Sequence, residues 1–175
     1  MHCLGPIIQS IKAGADVQML ARQIGALKIP HDEIRPYIRF SESGYTRNLI
    51  VKEPGFEILV LCWQDGQRSP IHDHGGSCGI DLVYQGVMAE DTFKLTPSGY
   101  LRPSESRDLH PGEASVAGAD DIHQMSNLQG GGKSLITIHF YIPPLGDMRV
   151  FNLHNRSFGR WHPNYTPQFH EGLGI

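Results

Sequence analysis

The sequence predicts an all-β domain, a barrel or sandwich of short strands with a short helical cap at the N-terminus. Of the 175 residues, 20 are glycine and 12 are proline, so many turns and few long helices are expected. From residue 45 onward the apolar residues alternate with a period of two, and turn signals such as Pro97-Ser98-Gly99 and Pro111-Gly112 separate the segments. Many short strands at close spacing are typical of such folds.

The first 40 residues are expected to form the helical cap. Residues 6–28 are predicted as helix, because Asp16 can cap a segment in which apolar residues recur at spacings of three and four. A second short helix is predicted from His31 to Tyr37, with Pro30 at its start.

The strands are expected within residues 41–152. Six segments show the alternation and the turn boundaries: Glu57–Trp63, Gly79–Gln85, Val87–Leu95, Glu113–Ala117, His123–Asn127 and Ser134–Tyr141. The tail, residues 153–175, is rich in His, Asn, Pro and Gly and is expected to lie irregularly over the barrel. Since no linker or repeat is visible, residues 1–175 are predicted to form one domain.

Charge and cysteine content narrow the class of protein. The net charge is −3 and no Lys/Arg cluster occurs, which argues against binding to nucleic acid or to anionic membranes. Neither a long apolar run nor a signal-peptide pattern is found, so no membrane span or export is expected. The odd set Cys3, Cys62 and Cys78 has no framework spacing, which favours the reducing cytoplasm. We also expect a monomer.

His72 and His74 are the starting point for a metal site. Residues i and i+2 of a strand point to the same face, so two imidazoles can meet at one point inside a barrel. Imidazole suits Fe, Cu, Ni and Zn, whereas Mg and Ca prefer oxygen ligands. His-x-His by itself is a weak signal, and its surroundings decide the interpretation.

The spacing around these histidines, and around His123, resembles the two cupin motifs, G-x5-H-x-H…G and G…H-x3-N. The other residues of the two motifs are Gly66, Gly86, Gly112 and Asn127. The resemblance implies a jelly-roll β-barrel. The acidic ligand usual after the second histidine is missing, and Cys78 and Gly79 occupy that region. Three neutral ligands would remain, which leaves up to three positions of an octahedral iron open, as catalytic metals require.

Four longer strings, spread over roughly residues 40 to 152, resemble the cysteine dioxygenase family, thiol dioxygenases of the cupin superfamily. They are Tyr45–Asn48, Leu61–His74, Ile122–Asn127 and Thr137–Pro144. The resemblance implies one Fe(2+) per chain on His72, His74 and His123. It also implies cysteine and O2 as substrates and cysteine sulfinic acid as the product.

The same resemblance implies roles for further residues. Arg47 matches the residue that binds the substrate carboxylate, and the planar guanidinium fork suits that task, although a surface ion pair is the alternative. Tyr141 matches the active-site tyrosine, with His139 and Thr137 as the relay behind it. These three alternate by two and share one strand face, so ordinary barrel filling is the alternative for them. Tyr45 matches a pocket residue near the arginine.

Animal members of the family carry a cysteine that forms a thioether with the active-site tyrosine. The matching position here is Gly79, and Cys78 is one residue away. A shift of one residue moves a strand side chain to the opposite face. We therefore predict no crosslink to Tyr141, as in bacterial members, and expect Cys62 and Cys78 to behave as small buried hydrophobes.

Three alternatives remain open from the sequence. The first is a dioxygenase for another small thiol such as 3-mercaptopropionate; such members usually carry Gln where Arg47 stands, which favours cysteine. The second is a non-catalytic metal-binding cupin. The third is a Zn, Mn or Ni cupin with isomerase or hydrolase chemistry, because many nitrogen sites bind other metals more tightly than iron.

Overall fold

The computed structural model describes residues 2–167. The N-terminal part contains α1 (Gly5–Lys12), α2 (Val17–Gly25) and α3 (His31–Ile34), and a 3-10 turn, Arg35–Tyr37, follows α3. The strands are β1 (Thr46–Glu53), β2 (Phe56–Trp63), β3 (Ile71–His72), β4 (Cys78–Gln85), β5 (Met88–Leu95), β6 (Leu101–Leu109), β7 (Ala114–Ala117), β8 (Ile122–Ser126), β9 (Leu135–Ile142), β10 (Met148–Phe151) and β11 (Phe158–Trp161). Within this range no helix has the length and apolar character needed to cross a bilayer.

Two antiparallel sheets make up the body of the protein. The first has the order β1-β2-β9-β4-β7 and the second the order β11-β10-β3-β8-β5-β6. Each sheet mixes strands from distant parts of the chain, so residues far apart in sequence become neighbours. The all-β prediction with a short N-terminal helical cap is confirmed.

The first sheet is buried on both faces. Its outer face is covered by the helices: Ile58, Val60, Ile138 and Phe140 belong to one apolar cluster with Ile7, Leu20 and Ile24. Its inner face packs against the second sheet: Leu59, Leu61 and Tyr141 belong to a second cluster with Met88 and Met125. Burial on both faces explains why β2 is an almost continuous apolar run. The candidate site lies on the inner face.

The helical cap differs from its prediction in one respect. Instead of one helix over residues 6–28, α1 and α2 are separate, and the chain turns at Gly14, whose φ is 74°. Glycine reaches this left-handed conformation without steric cost, so it ends α1. The capping role of Asp16 is confirmed, because its side chain accepts a hydrogen bond from the Met19 N–H at 2.9 Å.

All six predicted strands are present, with ends shifted by a residue at most, and five more occur. One of them, β6, is an edge strand whose residues 102–108 are all exposed, so it has no apolar alternation to reveal it. Another, β11, lies in the tail that was expected to be irregular, where it pairs with β10 through Met148 and Trp161. That expectation was wrong for Phe158–Trp161. Residues 168–175 of the predicted tail lie outside the described residues.

Candidate metal centre

The three predicted ligands meet at one point between the sheets. His72 ends β3 and lies opposite His123 of β8 in the strand register, while His74 follows in the loop after β3. The ring centroids are 4.8 Å apart for His72 and His123, 4.8 Å for His74 and His123, and 5.4 Å for His72 and His74. One ring nitrogen from each lies within 4.8 Å of the others. His74 therefore joins the cluster although the strand that should have carried it stops at His72.

Each imidazole is held at its Nδ1 atom. His72 Nδ1 lies 2.9 Å from the Pro70 carbonyl oxygen, and His74 Nδ1 lies 3.2 Å from the Gly118 carbonyl oxygen. A carbonyl only accepts hydrogen bonds, so both Nδ1 atoms carry the proton and both Nε2 atoms keep their lone pair. These contacts fix the tautomer and the ring orientation that a metal requires.

The free nitrogens fit a metal ion. The Nε2 atoms of His74 and His123 are buried and have no hydrogen-bond partner among the described residues. Buried polar atoms without a partner are rare and require an explanation, and a metal ion is one. Burial, together with the neighbouring imidazoles, lowers the pKa of His72 well below its ordinary value and lowers that of His74 to about 4. Both rings are therefore neutral at physiological pH, which is the form that binds metals.

Glu90 is a candidate functional residue that the sequence reasoning missed. Its carboxylate lies 2.9 Å from His123 Nδ1 and also binds Arg107 and Ser115 at 2.7–2.9 Å. Burial opposes ionisation of Glu90, but the hydrogen bonds from His123, Arg107 and Ser115 outweigh it and lower the pKa of the Glu90 carboxyl. A carboxylate thus stands behind one of the three neutral ligands without reaching the metal position. One signal in the sequence could have revealed it. Glu90 is an acid two positions after Met88 in the predicted strand Val87–Leu95, so both side chains lie on the same face of that strand.

Arg47 lies beside this centre on β1 and is buried, with 6% of its surface exposed. Its Nε and Nη2 atoms have no hydrogen-bond partner, and no carboxylate of the described residues pairs with it. The surface ion pair considered from the sequence is therefore absent from this part of the chain. Tyr141 lies between the arginine and the histidines: its ring centroid is 5.9 Å from Arg47 Cζ and 6.0 Å from the His74 ring.

The predicted relay residues form a hydrogen-bonded row on β9. The Tyr141 hydroxyl lies 3.0 Å from His139 Nδ1, and His139 Nε2 lies 2.7 Å from Thr137 Oγ1. Trp63 extends this row, because its indole N–H donates to Thr137 Oγ1 at 3.0 Å. Its ring also stacks on Tyr45 with centroids 4.2 Å apart, which places Tyr45 on the same inner face as the relay.

Asp81 is a second residue that the sequence reasoning missed. It lies on β4 opposite His139, is fully buried, and brings Oδ1 to 2.6 Å from His139 Nδ1. No motif or spacing marks it, because its partner lies on a different strand 58 positions along the chain. A charged acid in the middle of the strand Cys78–Gln85, between apolar neighbours, was the only available signal.

Gly79 lies opposite Tyr141 in the strand register, and a Cβ atom there would come within 3.4 Å of Tyr141 Cε1 and of His74 Nε2. Cys78 lies opposite Ile142 instead, so its side chain points to the other face of the sheet. The absence of a crosslink stays a prediction, and this arrangement supports it. Cys62 is fully buried as expected, whereas Cys78 is only half-buried.

Comparisons with known proteins identify the family of the chain. The family model “Cysteine dioxygenase type I” matches residues 5–154. Cysteine dioxygenase type 1 of Homo sapiens is 27% identical over 175 residues, which cover 97% of this chain and 85% of the human protein. The protein of the same name from Rattus norvegicus is 30% identical over 144 residues, covering 79% of this chain and 69% of the rat protein.

Solved structures support the fold. A Klebsiella pneumoniae protein with a double-stranded β-helix domain superposes with a TM-score of 0.56 at 17% identity, covering 71% of this chain and 91% of that protein. The protein TT1209 from Thermus thermophilus superposes with a TM-score of 0.50 at 17% identity, covering 63% of this chain and 94% of that protein. At such identities the likeness concerns the fold alone. The predicted fold class, a cupin jelly-roll barrel with a short helical cap, is confirmed.

Proposed function

Because the chain belongs to the cysteine dioxygenase type I family of thiol dioxygenases, we propose that it is an iron enzyme whose substrate is L-cysteine. Both atoms of O2 would be added to the thiol sulfur, which gives cysteine sulfinic acid without any other reactant. The observation that carries the proposal is the pairing of three convergent imidazoles with a buried, unpaired guanidinium next to them.

One Fe(2+) ion per chain would be held by His72, His74 and His123. When bound, it would supply the redox chemistry and the open positions at which a thiol and O2 can meet. The protein contributes the three fixed lone pairs. It also contributes the Glu90 carboxylate, whose hydrogen bond to His123 makes that imidazole a stronger donor.

Arg47 would bind the carboxylate of cysteine. A buried guanidinium without an anionic partner is costly, and a substrate carboxylate would remove that cost by accepting two parallel hydrogen bonds. The segment after β11 holds the Arg47 backbone in place. The Arg47 N–H donates to Thr166 Oγ1 at 2.8 Å, and the Arg47 carbonyl oxygen accepts from the Thr166 N–H at 2.8 Å. Arg47 is thus fixed at the backbone, while its Nε and Nη2 atoms have no hydrogen-bond partner among the described residues.

Tyr141 would donate a hydrogen bond to the reacting groups. Burial, reinforced by the Asp81 charge, raises the pKa of Tyr141 well above its ordinary value, so the hydroxyl keeps its proton at neutral pH. The Tyr141 ring lies between Arg47 and His74, which supports a role for its hydroxyl group beside the space that a thiol carboxylic acid would occupy.

The test begins with metal analysis of protein prepared without oxygen. Oxygen uptake is then compared for cysteine and 3-mercaptopropionate. We expect iron at one equivalent and a higher kcat/KM for cysteine. The His123→Ala variant should lose metal and activity together, because one of three neutral ligands is gone. Full iron and full turnover in that variant would overturn the ligand assignment.

Arg47 variants test the choice of substrate. Arg47→Gln should lower kcat/KM for cysteine by about thirtyfold or more, the equivalent of about 2 kcal/mol for a buried charged contact. Arg47→Lys is the matched control, since it keeps the charge and loses the two-pronged geometry, and we expect an intermediate loss. If the wild type has the higher kcat/KM for 3-mercaptopropionate, that thiol and not cysteine is the substrate. If no thiol causes oxygen uptake, the protein is better explained as a non-catalytic binding protein.

A further inference from the structure

Asp81 is a buried carboxylate that the proposed reaction does not use. Asp81 is 0% exposed, and neither of its carboxylate oxygens has a hydrogen-bond donor aligned with it among the described residues. Burying an ionised carboxylate without such donors is strongly unfavourable unless a compensating group lies close by. The group in contact is the His139 ring, whose Nδ1 lies 2.6 Å from Asp81 Oδ1.

The contact decides where the His139 ring carries its hydrogen. A carboxylate oxygen has only lone pairs, so a bare Nδ1 lone pair 2.6 Å away would be repelled, whereas a protonated Nδ1 is attracted. The other ring nitrogen allows this arrangement. Thr137 Oγ1 accepts from Trp63 and still has its own hydrogen, which it can donate to His139 Nε2 at 2.7 Å.

The hydrogen on Nδ1 also determines the role of the Tyr141 hydroxyl. Tyr141 Oη lies 3.0 Å from His139 Nδ1 and is the atom aligned with the ring N–H, whereas Asp81 lies to the side of that direction. The tyrosine oxygen therefore accepts from His139. Its own hydrogen is then available for the space next to Arg47 and His74. With the opposite tautomer, Tyr141 would donate to His139 and have no hydrogen left for a ligand.

We propose that Asp81 is a positioning residue that holds His139 in the Nδ1–H tautomer, so that Tyr141 serves as a hydrogen-bond donor towards the thiol substrate. The identity of the group that accepts the Tyr141 hydrogen bond rests on the proposed function. The tautomer of His139 is independent of that function, because it follows from contacts within the protein alone.

The tautomer is measured directly by NMR on metal-free protein with ¹⁵N-labelled histidine, with the His139 signals assigned from their loss in His139→Gln. We expect a protonated Nδ1 and an unprotonated Nε2 in the wild type at neutral pH. In Asp81→Asn, whose amide can itself donate to Nδ1, the proton should move to Nε2. An unprotonated His139 Nδ1 in the wild type overturns the proposal. This result depends neither on the folding of a variant nor on the enzymatic activity of the protein.

Steady-state kinetics with cysteine provide a second test of the role of Asp81. Asp81→Asn should lower kcat for cysteine by about tenfold to a hundredfold with little change in KM, because Arg47 still binds the carboxylate while Tyr141 is misaligned. Asp108→Asn, on the exposed strand β6, is the matched control and should change neither. In a His139→Gln background the Asp81 substitution should have no further effect on kcat. If the losses in kcat from the Asp81 and His139 substitutions add up in the double variant, the proposal is contradicted. If the wild type turns over no thiol, that result counts against the proposed function only.

Discussion

At the scale of single residues, the second nitrogen of each ligand separates the three histidines chemically. Two rings donate to backbone carbonyls, whereas His123 donates to the Glu90 carboxylate. A negative charge behind an imidazole raises its basicity more than a neutral carbonyl does. His123 should therefore be the strongest of the three donors. Glu90 also supplies negative charge that a site of three neutral ligands would otherwise lack.

Replacing Glu90 by Gln should weaken metal binding by about tenfold to a hundredfold, since outer partners of this kind typically contribute that much. The amide cannot satisfy both neighbours, because its NH2 group would face a donor on either His123 or Arg107. Metal affinity is measured by competition with a chelator under anaerobic conditions. Glu105→Gln, on the exposed strand β6, removes the same charge and should leave affinity unchanged. Equal affinities in the wild type and Glu90→Gln would refute the role of Glu90.

At the scale of elements, the segment after β11 acts as an additional neighbour of β1. Thr166 exchanges two hydrogen bonds with the Arg47 backbone, and Tyr165 binds the buried Glu57 carboxylate through its hydroxyl. Trp161 and Tyr165 also pack against the inner apolar cluster. This part of the tail therefore covers the strand that carries the candidate substrate-binding arginine.

Thr166→Val removes the hydroxyl that accepts from the Arg47 N–H and keeps the size of the side chain. We expect a loss of about 1 kcal/mol in stability and a rise in KM for cysteine of up to about fivefold. Thr166→Ser keeps the acceptor and should behave like the wild type. A thiol without a carboxylate, cysteamine, should show the same KM in all three proteins. An unchanged KM for cysteine in Thr166→Val would show that the tail does not position Arg47.

At the scale of the whole molecule, the sequence predicted most of what local pattern controls. Alternation and turns located six strands, and two short motifs located the three histidines that converge between the sheets. It did not find β6, because an exposed edge strand needs no apolar face. It also could not show that His74, beyond the end of β3, would still reach the centre.

The residues that escaped prediction share a physical cause. Asp81 and Glu90 act on histidines carried by other strands, and which residues face each other across a sheet is set by register and topology. Nothing in the local sequence around either acid encodes its partner. By contrast, Thr137, His139 and Tyr141 lie on one strand, so a period of two was enough to place them on one face.

Metal binding should stabilise the whole fold, because its ligands come from β3, the following loop and β8, and form only when these are assembled. At a free metal concentration a hundred times the Kd, folding should gain about 2.7 kcal/mol. For a chain of this size that corresponds to a rise in Tm of roughly 5–10 °C. Calorimetry with Fe(2+) under anaerobic conditions, and with Zn(2+), measures the shift, and a chelator should reverse it. His123→Ala should abolish the shift, whereas His110→Ala, at an exposed histidine, should retain it. An equal shift in His123→Ala would place the metal elsewhere in the protein.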